Sequence, residues 1–217
     1  MKRIHVVFLA LFVLSATAAF AASTASAFVS LLPETATVEG KLTAPGKLAN
    51  AEGLQITCSA GSLLKVNLKL NEQFHVHYTG CKGPLNEACE SLGDASEVIL
   101  SLGESHLVFD SLSPLGVGIA LLLEPVHIEC LGFILVLILV EKSCVLGLVE
   151  KINSAVTVNH LVFKETSGKQ SEQTYWNSAG KEEKCIMKES KNGGASEEGG
   201  IEGNMETTSS AAVEVMG

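Results

Sequence analysis

Phe133-Ile134-Leu135-Val136-Leu137-Ile138-Leu139-Val140 is eight apolar residues in a row, closed by Glu141-Lys142. A helix that crosses a bilayer needs ~20 such residues, and Glu124, Pro125, His127 and Glu129 prevent the run from being extended backwards. It is too short to span. Periodicity cannot separate a buried helix segment from a strand that is apolar on both faces. The length, the bounding Gly132 and Gly147, and the Val and Ile content favour the strand. The expectation is a central strand covered on both sides, with Glu141-Lys142 guarding a segment that would aggregate if exposed. The competing functional reading makes it an interface or ligand-lining strand.

The flanks extend this reading outward. Gly116 to Leu123 is a second apolar run, and Val126-His127-Ile128-Glu129 alternates, placing Val126 and Ile128 on one face and His127 and Glu129 on the other. Glu124-Pro125 marks a turn between them. Consecutive strands joined by tight turns predict an antiparallel meander from Pro114 to Glu150.

The chain begins Met1-Lys2-Arg3, continues with an apolar segment from Val6 to Phe20 and reaches Ala25-Ser26-Ala27. A basic start, an apolar middle and small residues at A-x-A spacing predict a cleaved signal peptide over residues 1–27, with Phe28 as the new N-terminus. The destination is then secreted or associated with the cell envelope, outside the cytoplasm. No further membrane-spanning segment is predicted after cleavage. Cleavage removes Lys2 and Arg3, leaving 13 of the 15 basic residues against all 24 acidic ones, a formal charge of −11. Arg3 is the only arginine. Nucleic-acid binding needs clustered Lys and Arg to displace counterions from phosphates, so that class of partner is excluded. Net acidity favours solubility.

Residues 28–217 fit one all-β domain, about 190 residues being an ordinary size for such a unit. Its six cysteines, Cys58, Cys81, Cys89, Cys130, Cys144 and Cys185, are an even number in an exported chain, which reads as disulfides. Six cysteines allow ~15 pairings. Cys81 and Cys89 flank a seven-residue loop and are the favoured local pair, leaving Cys58 with Cys130 and Cys144 with Cys185.

Along the chain, strands are expected at Ala36 to Leu42 and Leu54 to Cys58, followed by an Ala60-Gly61 turn. Leu64, Val66, Leu68 and Leu70 alternate with Lys65, Asn67 and Lys69, a period-2 pattern with one core face. Phe74-His75-Val76-His77-Tyr78 puts Phe74, Val76 and Tyr78 inward, so Leu64 to Tyr78 is a hairpin. A second hairpin is expected for Glu97 to Leu102 and His106 to Phe109 around Gly103-Glu104. Ala155 to Lys164 is a strand with Val156, Val158, Leu161 and Phe163 buried and a bulge near Asn159. Residues 191–204, KNGGASEEGGIEGN, read as a flexible Gly/Glu-rich loop. Cys185 to Met187 and Ala211 to Met216 are terminal strand candidates. Together these predict an all-β, antiparallel sandwich or barrel, stabilised by disulfides.

A strand ending at Cys58, Thr79-Gly80-Cys81 with a short loop to Cys89-Glu90-Ser91, Glu124-Pro125 leading to Cys130, and Gly168-Lys169-Gln170 together resemble a group of exported bacterial β proteins with paired cysteines. The resemblance covers much of the mature chain and implies no particular activity.

His75 and His77 are the metal-ligand candidates, since residues two apart on a strand share a face. A catalytic zinc usually takes a third protein ligand; His127 with Glu129 is one source. No C-x-x-C pair occurs, which disfavours cysteine-bound zinc. Gly103-Glu104-Ser105-His106 sets a serine beside a histidine but lacks the second glycine of a nucleophile elbow. Glu124, Glu129 and Glu141 are candidates for a hydrolytic carboxylate pair, and Tyr175-Trp176 for a sugar-stacking platform. No catalytic residue and no cofactor is assigned. The sequence therefore supports an exported non-enzymatic structural or binding module, with an envelope or self-association partner. A hydrolase whose site is assembled only in the fold, and a metal-binding protein using His75 and His77, are the alternatives.

Overall fold

A computed structural model describes residues 30–33, 36–67, 72–112, 115–132 and 135–216. The expected signal peptide, Leu68, Leu70, Phe133 and Ile134 lie outside the described residues. The strands in chain order are β1 (Ser30–Leu32), β2 (Thr37–Leu42), β3 (Gly46–Asn50), β4 (Gln55–Asn67), β5 (Glu72–Lys82), β6 (Ala88–Ser91), β7 (Val98–Leu112), β8 (Leu115–Leu123) and β9 (Val126–Leu131). They continue with β10 (Val136–Val140), β11 (Ser143–Val149), β12 (Val156–Phe163), β13 (Glu165–Thr166), β14 (Lys169–Gln170), β15 (Thr174–Trp176), β16 (Glu182–Lys184), β17 (Met187–Lys191) and β18 (Glu197–Met216). All but β13 and β14 belong to one antiparallel sheet, as the all-β reading predicts.

The pairings close that sheet twice. In the first ring β7, β8, β11, β12, β18, β2, β4 and β5 pair in turn, and β5 returns to β7. In the second, β18, β17, β10, β9, β6, β5, β4 and β3 pair in turn, and β3 returns to β18. Strands β4, β5 and β18 run through both rings, which is why they are 13, 11 and 20 residues long. Closure leaves these strands no open edge on which another chain could pair. Along β5, Phe74 and Val76 are buried while Gln73 and His75 are exposed. That alternation is the reverse of a membrane-spanning barrel, whose apolar residues face outward. Among the described residues no helix is long and apolar enough to cross a membrane.

The apolar region from 115 to 149 is divided between the rings instead of forming a meander. Strand β8 pairs with β7 and β11, whereas β9 pairs with β6 and β10. At Glu124-Pro125 the chain leaves the first ring, makes the β9–β10 hairpin in the second, and returns at Glu141-Lys142 to lie beside β8. Covering on both faces belongs to β11, where Ser143 to Gly147 are all buried. It does not belong to β10: Ile138 and Val140 face the core, but Leu135 and Leu137 are 49% and 43% exposed. The reason is what crosses each strand. Tyr175 and Cys185 cover Cys144, Leu146 and Ala120 from outside, while the outer face of β10 carries Leu135 and Leu137 beside the exposed Leu131 of β9.

Three expected turns or loops are strand interiors. Ala60-Gly61 lies within β4, Gly103-Glu104 within β7, and residues 197–204 of the expected flexible segment open β18, with only 192–196 left between strands. Their glycines serve close approach. A Cβ on Gly61 would sit 2.9 Å from the Tyr78 ring, and one on Gly147 would sit 2.6 Å from Phe163. Small residues inside a narrow barrel let large neighbours fit across from them. The Leu64–Tyr78 hairpin is present as β4–β5, and the bulge in β12 falls between Val156 and Val158.

The six cysteines form three disulfides, but not the favoured set. Cys58 bonds Cys81 and Cys89 bonds Cys130, so the expected Cys81–Cys89 and Cys58–Cys130 pairs are corrected; Cys144–Cys185 is as expected. Cys58 stands directly opposite Cys81 across β4–β5, and Cys89 opposite Cys130 across β6–β9, with Cα atoms 3.9 and 4.0 Å apart. Sheet register decided the partners: residues facing each other across antiparallel strands are closer in space than the two ends of a short loop.

Candidate ligand-binding cavity

The inward faces of the two rings are filled differently. In the second ring Ile56, Cys81, Cys89, Ile128, Cys130, Ile138 and Met187 are 0–2% exposed, and two disulfides lie among them. In the first ring Leu63, Leu107, Ile119, Leu121 and Val149 point inward yet keep intermediate exposure. They line a partly open cavity of about 140 Å³. Its wall is chiefly Leu63, Phe74, Val76, Ile119, Leu121 and Leu161. A smaller cavity of about 70 Å³ lies on the second-ring side, near Ile99, Leu123 and Val140. Tyr78, Phe163 and Met205 line both, so these three side chains form the partition between them.

The polar groups of the larger cavity are mostly committed. Thr207 Oγ1 donates to the Asn159 carbonyl, and Ser209 Oγ to the carbonyls of Thr157 and Ala211. Asn159 bonds the backbone of Lys151 and His160. Tyr78 differs. Burial pushes its hydroxyl up to about 12. Its intermediate exposure is surface that faces the two cavities it lines. The other tyrosine, Tyr175, is also pushed to about 12, first by burial and then by Glu183, whose carboxylate accepts its hydroxyl at 2.9 Å.

Two glutamates elsewhere mark how the fold treats charge. Glu165 is held below its ordinary range chiefly by Lys47, at 2.5 Å, with the Gly168 N–H adding to it. Glu189 faces the interior of the second ring with no exposure. Burial raises its pKa, with Glu197 acting in the same direction. Asn50 lies beside it and favours the charged form, but neither carboxylate oxygen has a hydrogen bond of good geometry.

The sequence candidates are scattered. His75 and His77 lie on the outer side of β5, and among the described residues no group of three or more His, Cys, Asp or Glu is placed to hold a metal ion. Ser105 lines the larger cavity, whereas neighbouring His106 lies on the opposite face of β7 beside Glu104 at 3.7 Å, so the two cannot act together. Glu124 is exposed at the strand end and Glu129 faces outward opposite Glu90. Trp176 packs with Phe109, Val117 and Val215, which accounts for it without a sugar. The sequence pattern places Tyr78 inward only as a core residue. The signal that could have singled it out is a phenol at an inward position among Leu, Val and Phe.

Comparison with protein-family models, with curated proteins and with solved structures finds no match for this chain.

Proposed function

We propose that the chain is an exported, non-enzymatic binding protein of the extracellular space or cell envelope whose first barrel holds a small apolar molecule. The observation that carries this reading is the partly open, mostly apolar cavity of about 140 Å³ walled by Leu63, Val76, Ile119, Leu121 and Leu161. Protein interiors rarely hold voids larger than a water. Eight-stranded barrels are wide enough to be filled by side chains or to hold one small ligand, and an apolar cavity near 150 Å³ accepts a molecule of about benzene's size. Three disulfides support an oxidising, extracytoplasmic setting. The signal-like start and the resemblance to exported bacterial proteins point the same way.

The test is thermal unfolding of the purified mature chain with increasing benzene or cyclopentane. A ligand that binds only the folded state raises the melting temperature in proportion to the logarithm of its concentration above Kd. The expected result is a saturable binding isotherm that Val149→Phe, which places a ring in the cavity, abolishes while the chain stays folded. No stabilisation of the wild type, or equal stabilisation of Val149→Phe, contradicts the reading.

A further inference from the structure

Tyr78 lines both apolar cavities with its ring against Gly61, and its hydroxyl makes no hydrogen bond with any described residue. A phenol donor that the protein leaves without an acceptor on an apolar wall is available to a ligand, and Phe at this position would keep the ring's packing against Gly61 without offering that donor. The two residues that share the partition with Tyr78, Phe163 and Met205, offer its hydroxyl no strong acceptor. A molecule with an apolar body and one acceptor fits both features at once: the walls take its hydrocarbon and the phenol takes its oxygen.

Resting on the reading that the barrel interior binds a small apolar molecule, we propose that Tyr78 is the specificity-determining donor of the site, selecting ligands that carry a hydrogen-bond acceptor such as a ketone carbonyl. Selection arises because a ligand without the acceptor leaves the phenol unpaired, whereas one with it completes the bond against an apolar wall. Tyr175 offers a built-in contrast, since its hydroxyl is already taken by Glu183.

The experiment titrates wild type, Tyr78→Phe and Tyr175→Phe with two near-isosteric probes, cyclopentanone and methylenecyclopentane, by calorimetry. In wild type and Tyr175→Phe the ketone binds more tightly, by about fivefold to tenfold after each probe is corrected for its transfer from water. Tyr78→Phe loses that preference while still binding the hydrocarbon. An unchanged preference in Tyr78→Phe overturns the assignment and leaves the cavity reading intact. Failure of both probes to bind wild type overturns both. The carbonyl stretch of cyclopentanone bound to wild type gives a readout that needs no variant: it falls below its position in alkane if the phenol donates, and an alkane-like frequency overturns the proposal.

Discussion

The two rings share β4, β5 and β18 and obey the same in-and-out alternation, yet the first holds a cavity of about 140 Å³ and the second one of about 70 Å³. In the second ring the inward positions are Ile56, Ile128, Ile138 and Met187, and two cystines take the places where further side chains would stand. In the first, inward glycines at 61 and 147 are matched to single large rings, and the remaining Leu, Val and Ile stop short of the centre. Pattern therefore specifies which way a residue faces. Residue size and cross-linking specify whether the enclosed space is core or cavity.

The contrast breaks most sharply at the cystines. Removing Cys89–Cys130 as the double serine variant is expected to lower stability by about 4 kcal/mol, and removing Cys58–Cys81, which closes a shorter loop of 23 instead of 41 residues, by about 3 kcal/mol. Denaturant midpoints measure both. Next come matched truncations. Ile138→Ala opens a new hole in the packed ring and should cost about 3 kcal/mol, whereas Leu121→Ala merely widens an existing cavity and should cost about half as much. Equal costs would mean the two interiors are packed alike. Gly147→Ala should cost about 1–3 kcal/mol, because its Cβ meets the Phe163 ring at 2.6 Å, and the Phe163→Leu background should relieve most of that loss.

The smallest effect sharpens the comparison on the polar side. Glu189 is the enclosed charge of the packed ring, and its folded pKa lies above the ordinary 4.5. A carboxyl raised on folding leaves stability intact below its unfolded pKa and removes it as pH rises through the folded value. Glu189→Gln is therefore expected to stabilise the protein by about 1–2 kcal/mol at neutral pH, with the gain vanishing near pH 4, read from urea unfolding at the two pH values. A gain independent of pH would show that the carboxyl's charge is not the cause.

How far the sequence could be read depended on the kind of signal. Period-2 alternation placed Phe74, Val76 and Tyr78 inward, and located β12 with its bulge. Glycine misled at Ala60-Gly61, Gly103-Glu104 and 197–204, because a glycine admitting a neighbour's bulk is written the same way as one that turns the chain. The cysteine partners were hidden for a related reason: Cys58 meets Cys81, and Cys89 meets Cys130, through register between strands, a property of the sheet and not of separation along the chain. The apolar run from 135 to 140 showed its length but not what would lie across it. Of the cavity, individual wall residues such as Val76 and Leu161 were identified as inward. Their convergence into one enclosed space required the closure of β5 onto β7, which no local pattern encodes.

The central claim, a roomier barrel beside a more tightly packed one, is tested most directly by crystals of the mature protein pressurised with xenon. The account predicts a principal xenon peak in the first ring, in contact with Val76, Leu121 and Leu161, with lower occupancy at the smaller cavity beyond the partition. Side chains collapsed across the first ring with no xenon there, or a principal peak in the second ring, would contradict it.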